Sequence, residues 1–159
     1  MIDIKINSNE GKFKFRVCGI LKHNEKYLVL KMNGNDFFCL PGGHVELTED
    51  TEMAVVREMR EELNLEVVPT SLVAINQNFF KTYDNRPFHE LGFYYIVKAK
   101  DETKINTQNY VRDELDKGKI QHLEFYWFTF EQLKEIDLRP TFILDAIKSN
   151  HTIINITKD

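Results

Sequence analysis

The chain reads as an α/β or α+β fold built on a mixed β-sheet, and three observations predict it. Seven apolar or alternating runs, two of them short, have strand length and strand composition. One segment, Asp50 to Leu63, carries a helical period, and it sits between strands rather than beside other helices. Two further short helical segments follow the last long strand near the C-terminus.

"KFKFRVCGILKH" (Lys12–His23) alternates and then turns apolar, as a strand entering a core does. "NEKYLVLKM" follows a polar turn at His23–Glu25, so the two form a predicted hairpin. "NGND" (Asn33–Asp36) is a second turn, and "FFCLP" a short buried strand stopped by Pro41. Beyond the Asp50–Leu63 helix, "LEVVPTSLVAINQNFF" and "HELGFYYIVKAK" read as two long strands joined by the loop "KTYDNRP". Residues Thr103–Gly118 are polar, show no apolar period, and read as a loop or a short exposed helix. "HLEFYWFTF" is a last core strand, and its Phe125, Tyr126 and Trp127 are core residues rather than a stacking platform. "EQLKEI" and "RPTFILDAIKSN" read as helices, with Pro140 near the first turn of the second. "TIINIT" adds an edge strand.

The 159 residues are expected to form one domain, 1–159, with an ordinary core. Apolar residues make up 42% and charged residues 29%, a globular balance. A net charge of −4 argues against an extended nucleic-acid face, which needs clustered Lys and Arg. It leaves room for a small phosphorylated substrate held through metal ions. Cys18 and Cys39 lie in apolar runs without metal-ligand spacing, so buried free thiols are expected. The N-terminus has no signal-peptide pattern and no run reaches membrane-span length, which predicts a cytoplasmic protein.

The chemistry concentrates in "LPGGHVELTEDTEMAVVREMREELNL", Leu40–Leu65. At about 100° per residue, Glu58, Glu61 and Glu62 share a helical arc of about 100°, while Val56, Met59 and Leu63 take the other side. Arg57 stands beside Glu61 at i+4 and relieves part of the repulsion. Small Ala54 falls between the acids in projection and leaves room for an approaching group. The helix is entered from "PGGHVE", where paired glycines permit unusual dihedrals and close approach of backbone to a ligand. A solvated acidic face is the plain reading of such a helix. A hard divalent cation is the alternative, because Mg²⁺ takes oxygen ligands and shares them with substrate phosphates.

Gly43, five residues, Glu49, seven residues, then Arg57-Glu58-Met59-Arg60-Glu61-Glu62-Leu63-Asn64-Leu65 resembles the Nudix box. The one departure is Asn64, where the family has glycine. Asparagine is the next most tolerant residue at a left-handed helix cap, so the departure touches local stability and not chemistry. The "LPGG" before the box and Glu46 within it resemble the family too.

The resemblance implies a Nudix-like α/β/α sandwich with the carboxylate helix 50–63 against a mixed sheet. It implies a pyrophosphohydrolase, dependent on Mg²⁺ or Mn²⁺, cutting a nucleoside diphosphate linked to another moiety. By position, Glu58, Glu61 and Glu62 would be metal ligands together with the Gly43 carbonyl. Arg57 and Glu49 would orient the carboxylates, since a guanidinium fork can hold two acids. Arg57, Glu58 and Glu61 are the catalytic candidates inside the box. Outside it, a fourth acid is expected at Glu124, with Glu90 and Glu114 as rivals. His44, His89 and His122 show no mutual metal spacing.

The expected partner is a small nucleotide-type substrate, with no membrane. Family members that cut ADP-ribose often carry a proline about fifteen residues after the box; this chain has Phe80–Lys81 there, with no proline nearer than Pro87. Tyr83, eighteen residues after Leu65, stands near a tyrosine common in members acting on dinucleoside polyphosphates, and its ring is a candidate for stacking on a nucleobase. Together these point to a nucleoside tri- or polyphosphate rather than ADP-ribose. The alternative function is a Nudix-fold binding or regulatory module with little or no catalysis.

Overall fold

The computed structural model describes residues 2–158 except Tyr83 and Lys117. Strand β1 spans Lys5–Asn7, β2 Lys12–His23, β3 Lys26–Met32 and β4 Gly42–His44. Helix α1 spans Thr51–Leu63, followed by β5 Val67–Lys81 and β6 Pro87–Ala99. After a 3-10 turn at Glu102–Lys104 come β7 Tyr110–Asp116, β8 Lys119–Thr129, α2 Phe130–Leu133, α3 Ile143–Lys148 and β9 Ile153–Lys158. The strands form one mixed sheet in the order β7-β8-β3-β2-β6-β5-β9, with β1 and β4 also paired to β2. The β2–β6 and β5–β9 pairs are parallel and the others antiparallel.

The β2–β3 hairpin turns through Asn24 and Glu25, both at positive φ, as a two-residue hairpin turn requires. Its strands pair only at Lys22–Tyr27 and His23–Lys26 and then diverge. Residues 39–44 fill the gap: Leu30 and Cys39 exchange backbone hydrogen bonds on one side, and Gly42–His44 pairs with Arg16–Cys18 on the other. The predicted "FFCLP" strand is thus replaced by a wedge with only isolated bridges at Phe38 and Cys39.

Both sheet faces are covered, which gives the α/β/α layering. Ala54, Val55 and Met59 of α1 pack on Val17, Leu21, Tyr95 and Val97, and this core continues to Leu123, Phe125 and Trp127 of β8. On the other face Leu133, Ile143 and Ala146 pack on Cys18, Ile20, Val29, Ala74 and Tyr94. Ala54 is fully buried, so the space expected beside the acids is filled by core. Burial pushes the Cys18 and Cys39 thiols up to about 12 and about 11, the behaviour of inert packed cysteines.

The polar segment 103–118 holds a strand, β7, where a loop or exposed helix is expected. Its alternation is inverted: Tyr110, Arg112 and Glu114 are half-buried, while Val111 and Leu115 face solvent. Helix α3 begins three residues after Pro140 rather than around it. No helix among the described residues is long and apolar enough to cross a membrane.

Candidate active site

Helix α1 is fixed at both ends by its own sequence. The Asp50 carboxylate accepts from the Met53 amide at 2.8 Å, an N-cap. Asn64 takes the left-handed conformation at φ 52° and ψ 38°, as the glycine-like position predicts, and its N–H donates to the Arg60 carbonyl.

Arg57 is the hub of the loop–helix junction. Its Nε and Nη2 donate to the two Glu49 oxygens at 3.2 and 2.6 Å, and Nη2 also donates to the His44 carbonyl at 2.8 Å. Nη1 donates to Glu58 at 2.8 Å and to Glu61 at 3.2 Å. Glu49 accepts in turn from the Glu46 amide at 2.8 Å. A planar guanidinium thereby sets the positions of three carboxylates and the preceding loop together.

The paired glycines bring backbone against these acids. Gly42 sits at φ 147°, and a Cβ there would overlap the Val17 carbonyl. A Cβ on Gly43 would overlap the Glu58 carboxylate. The Gly42 amide donates to Glu62 Oε2 at 2.8 Å, and Glu62 is only 5% exposed. The solvent-facing patch expected from the helical period is therefore half right. Glu61 is exposed, but the wedge 39–44 folds over Glu62 and buries it.

Burial pushes the Glu58 carboxyl up to about 7 against the pull of Arg57. Burial, and then repulsion from Glu58, push Glu62 up to about 8. Neighbouring acids in this condition call for a positive partner. Arg57 and the Gly42 amide hold the three box carboxylates apart, and among the described residues no three acids, imidazoles or thiols converge on one metal-binding point. The fit to a hard cation lies in the oxygen donors and in a repulsion that Arg57 and Arg16 relieve only in part.

These groups line a cavity of about 210 Å³. Gly43, Glu58, Glu61 and Glu62 form one wall. Lys14 and Arg16 of β2 form a basic wall, and Glu114 and Gln121 of the β7–β8 hairpin close a third side. Arg16 donates to the Gly42 carbonyl at 3.2 Å and lies 3.6 Å from Glu90. Burial, and next the charge of Arg16, lower the Lys14 pKa. His44 also lines the cavity; burial lowers its pKa to about 3, so it is neutral, and its Nε2 has no hydrogen-bond partner among the described residues. The sequence reading missed Lys14 and Arg16, although the "KFKFR" alternation already places them on one face of a strand. It missed Arg112 as well, which donates to the Glu62 carbonyl at 2.7 Å.

The outside acids require a correction. Glu124 does not join the box. Leu123 points to the α1 side and lines the cavity, so Glu124, one residue on, faces away and accepts from the Tyr126 hydroxyl at 2.7 Å. Glu90 stands behind Arg16 and is not part of the cavity lining. Of the three, Glu114 lines the cavity, and Asp3 near the N-terminus lines it too. Tyr83 lies outside the described residues. His89 stacks on Phe79, and His122 bonds Asp113, both away from the box.

The NUDIX domain family model matches residues 13–145, most of the chain. The ADP-ribose pyrophosphatase of Methanocaldococcus jannaschii is 44% identical over 99 residues, and the match spans 55% of this chain and 56% of that protein. The chain thus aligns with little more than half the length of that relative. The MutT protein from Bacillus halodurans has TM-score 0.59 at 14% identity, covering 91% of this chain and 90% of its own. A NUDIX hydrolase from Nitrosomonas europaea has TM-score 0.56 at 19% identity, covering 85% and 86%. At these identities the two structures speak for the fold alone.

Proposed function

The chain belongs to the Nudix family, and on that premise we propose that it is a divalent-cation-dependent pyrophosphohydrolase acting on a nucleoside diphosphate linked to another moiety, with ADP-ribose the leading substrate. The observation that carries the reading is the cavity's charge arrangement: the crowded Glu58 and Glu62 on one wall face Lys14 and Arg16 on another. Cations bound by the acids and phosphates drawn to the bases would complete each other there.

Glu58, Glu61, Glu62 and the Gly43 carbonyl would hold Mg²⁺ or Mn²⁺. When bound, the ion supplies charge neutralisation at phosphate oxygens and acidifies a water ligand. Arg57 keeps Glu58 and Glu61 oriented through its hydrogen bonds. Lys14 and Arg16 receive the remaining phosphate oxygens, where charge-assisted hydrogen bonds are strongest. Glu114 takes the proton of the attacking water, in the part first expected of Glu124. On ADP-ribose, water adds to one phosphorus, the bridging P–O–P bond breaks, and AMP and ribose 5-phosphate leave.

The choice of ADP-ribose rests on the 44% identity to a protein of that name. We weigh it above the sequence pattern that favours nucleoside tri- or polyphosphates, the absence of proline near Phe80 and the presence of Tyr83. A panel of ADP-ribose, nucleoside triphosphates and dinucleoside polyphosphates, assayed with Mg²⁺ and with products identified, tests the reading. AMP release from ADP-ribose at the highest kcat/KM is expected. A higher kcat/KM on a triphosphate moves the substrate to the second reading, and no hydrolysis of any member leaves a binding module.

A further inference from the structure

Strand β7 is an end strand of the sheet, and β8 is its neighbour. Its outward face is apolar at two places, Val111 at 59% and Leu115 at 73% exposure. Ile120, 71% exposed, lies directly across from Leu115 on β8. Edge strands of soluble proteins avoid such combinations, because exposed apolar rows beside unpaired backbone groups invite another strand.

We propose that this edge pairs with β7 of a second copy, antiparallel about a two-fold axis through Asp113, so that one sheet runs through a homodimer. The pattern of the strand selects both occupant and register. A two-fold axis normal to the sheet sets residues of the same face opposite one another. Centred on Asp113, it sets Val111 against Leu115 and Arg112 against Glu114, each twice. Centred on Arg112, it opposes two arginines and sets Val111 against Asp113. Centred on Glu114, it opposes two glutamates and sets Leu115 against Asp113. Only the first register pairs apolar with apolar and base with acid. Its one like pair is Asp113 with itself, and each Asp113 already holds a His122 ring nitrogen at 2.7 Å. An apolar row of Ile120, Leu115 and Val111 of the second copy then crosses the junction. Strand addition of this kind gains main-chain hydrogen bonds along an otherwise open edge.

Sedimentation velocity of the full chain, from low micromolar to several hundred micromolar, tests the proposal. A concentration-dependent dimer is expected. Leu115→Arg and Val111→Lys, both on the solvent face, should each weaken it about tenfold or more. Asp113→Asn, which removes the like-charge pair, should tighten it. On oxidation Asp113→Cys should give an interchain disulfide, because directly opposed Cα atoms lie about 4.5–5.5 Å apart, whereas Leu115→Cys should not. A monomer at every concentration overturns the proposal. So does a dimer indifferent to Leu115→Arg and Asp113→Asn, which would assign association to another surface such as the β9 edge with its exposed Ile154 and Ile156.

Discussion

The Gly42 amide and the Glu62 carboxylate, twenty residues apart, meet at 2.8 Å. That bond closes the wedge between β2 and β3 onto the C-terminal half of α1. It fixes one oxygen of a buried acid on which, among charged neighbours, Glu58 acts most strongly. The folded chain thereby holds two carboxylates in a state they would not choose in water.

This has a pH signature. Glu58 and Glu62 sit at about 7 and about 8 in the folded chain, against an ordinary 4.5. Between those limits the native state binds more protons than the unfolded state. Stability is therefore greatest below the ordinary value and falls as pH rises through the folded ones. The melting temperature of metal-free protein should decline from about pH 5 to about pH 8.5. Mg²⁺ or Mn²⁺ should restore it most at the alkaline end, where cations compete with fewer protons. Calorimetry in chelator and in metal checks both trends, and a flat metal-free profile would speak against the buried, repelling pair.

Gly43→Ala puts a methyl group into the Glu58 carboxylate. Displacing that side chain should lower activity strongly and cost about 1–3 kcal/mol of stability, the usual cost of overpacking. Paired kinetic and melting measurements test this, and unchanged kinetics would mean that Glu58 need not hold its observed place.

Asn64→Gly should be neutral or stabilising by up to about 1 kcal/mol, since the left-handed cap suits glycine. Asn64→Val should be clearly worse, because a β-branched residue resists positive φ. Their melting temperatures should separate in that order while activity changes little.

Glu114→Gln should lower kcat with little change in KM, as expected for a proton acceptor at the cavity wall. Glu124→Gln, whose partner is the Tyr126 hydroxyl on the other sheet face, should leave both constants near their starting values. The reverse outcome would return the outside role to Glu124.

The error over Glu124 has a definite cause. Strand β8 is apolar on both faces, with Leu123, Phe125 and Trp127 packed toward α1 and Tyr126 and Phe128 toward α2 and α3. A doubly buried strand hides its phase, so strand existence was legible and facing was not. Strand β7 failed the opposite way: its polar residues face the cavity and its apolar ones face water, which inverts the usual signal. The burial of Glu62 depends on a wedge forty residues into the chain, which no helical projection contains. The Asp50 start of α1 and the Asn64 cap were legible because each depends on neighbours within about one turn, and the box was legible through its resemblance to a family pattern.

The most direct measurement is AMP release from ADP-ribose by the wild-type chain and by Glu62→Gln, side by side, with Mg²⁺ and with chelator. Glutamine keeps an acceptor for the Gly42 amide and removes only the charge. Wild type should turn over with Mg²⁺ alone, and Glu62→Gln should be slower by about 10²-fold or more while melting no lower than wild type in chelator. A folded Glu62→Gln protein with wild-type turnover would contradict the account.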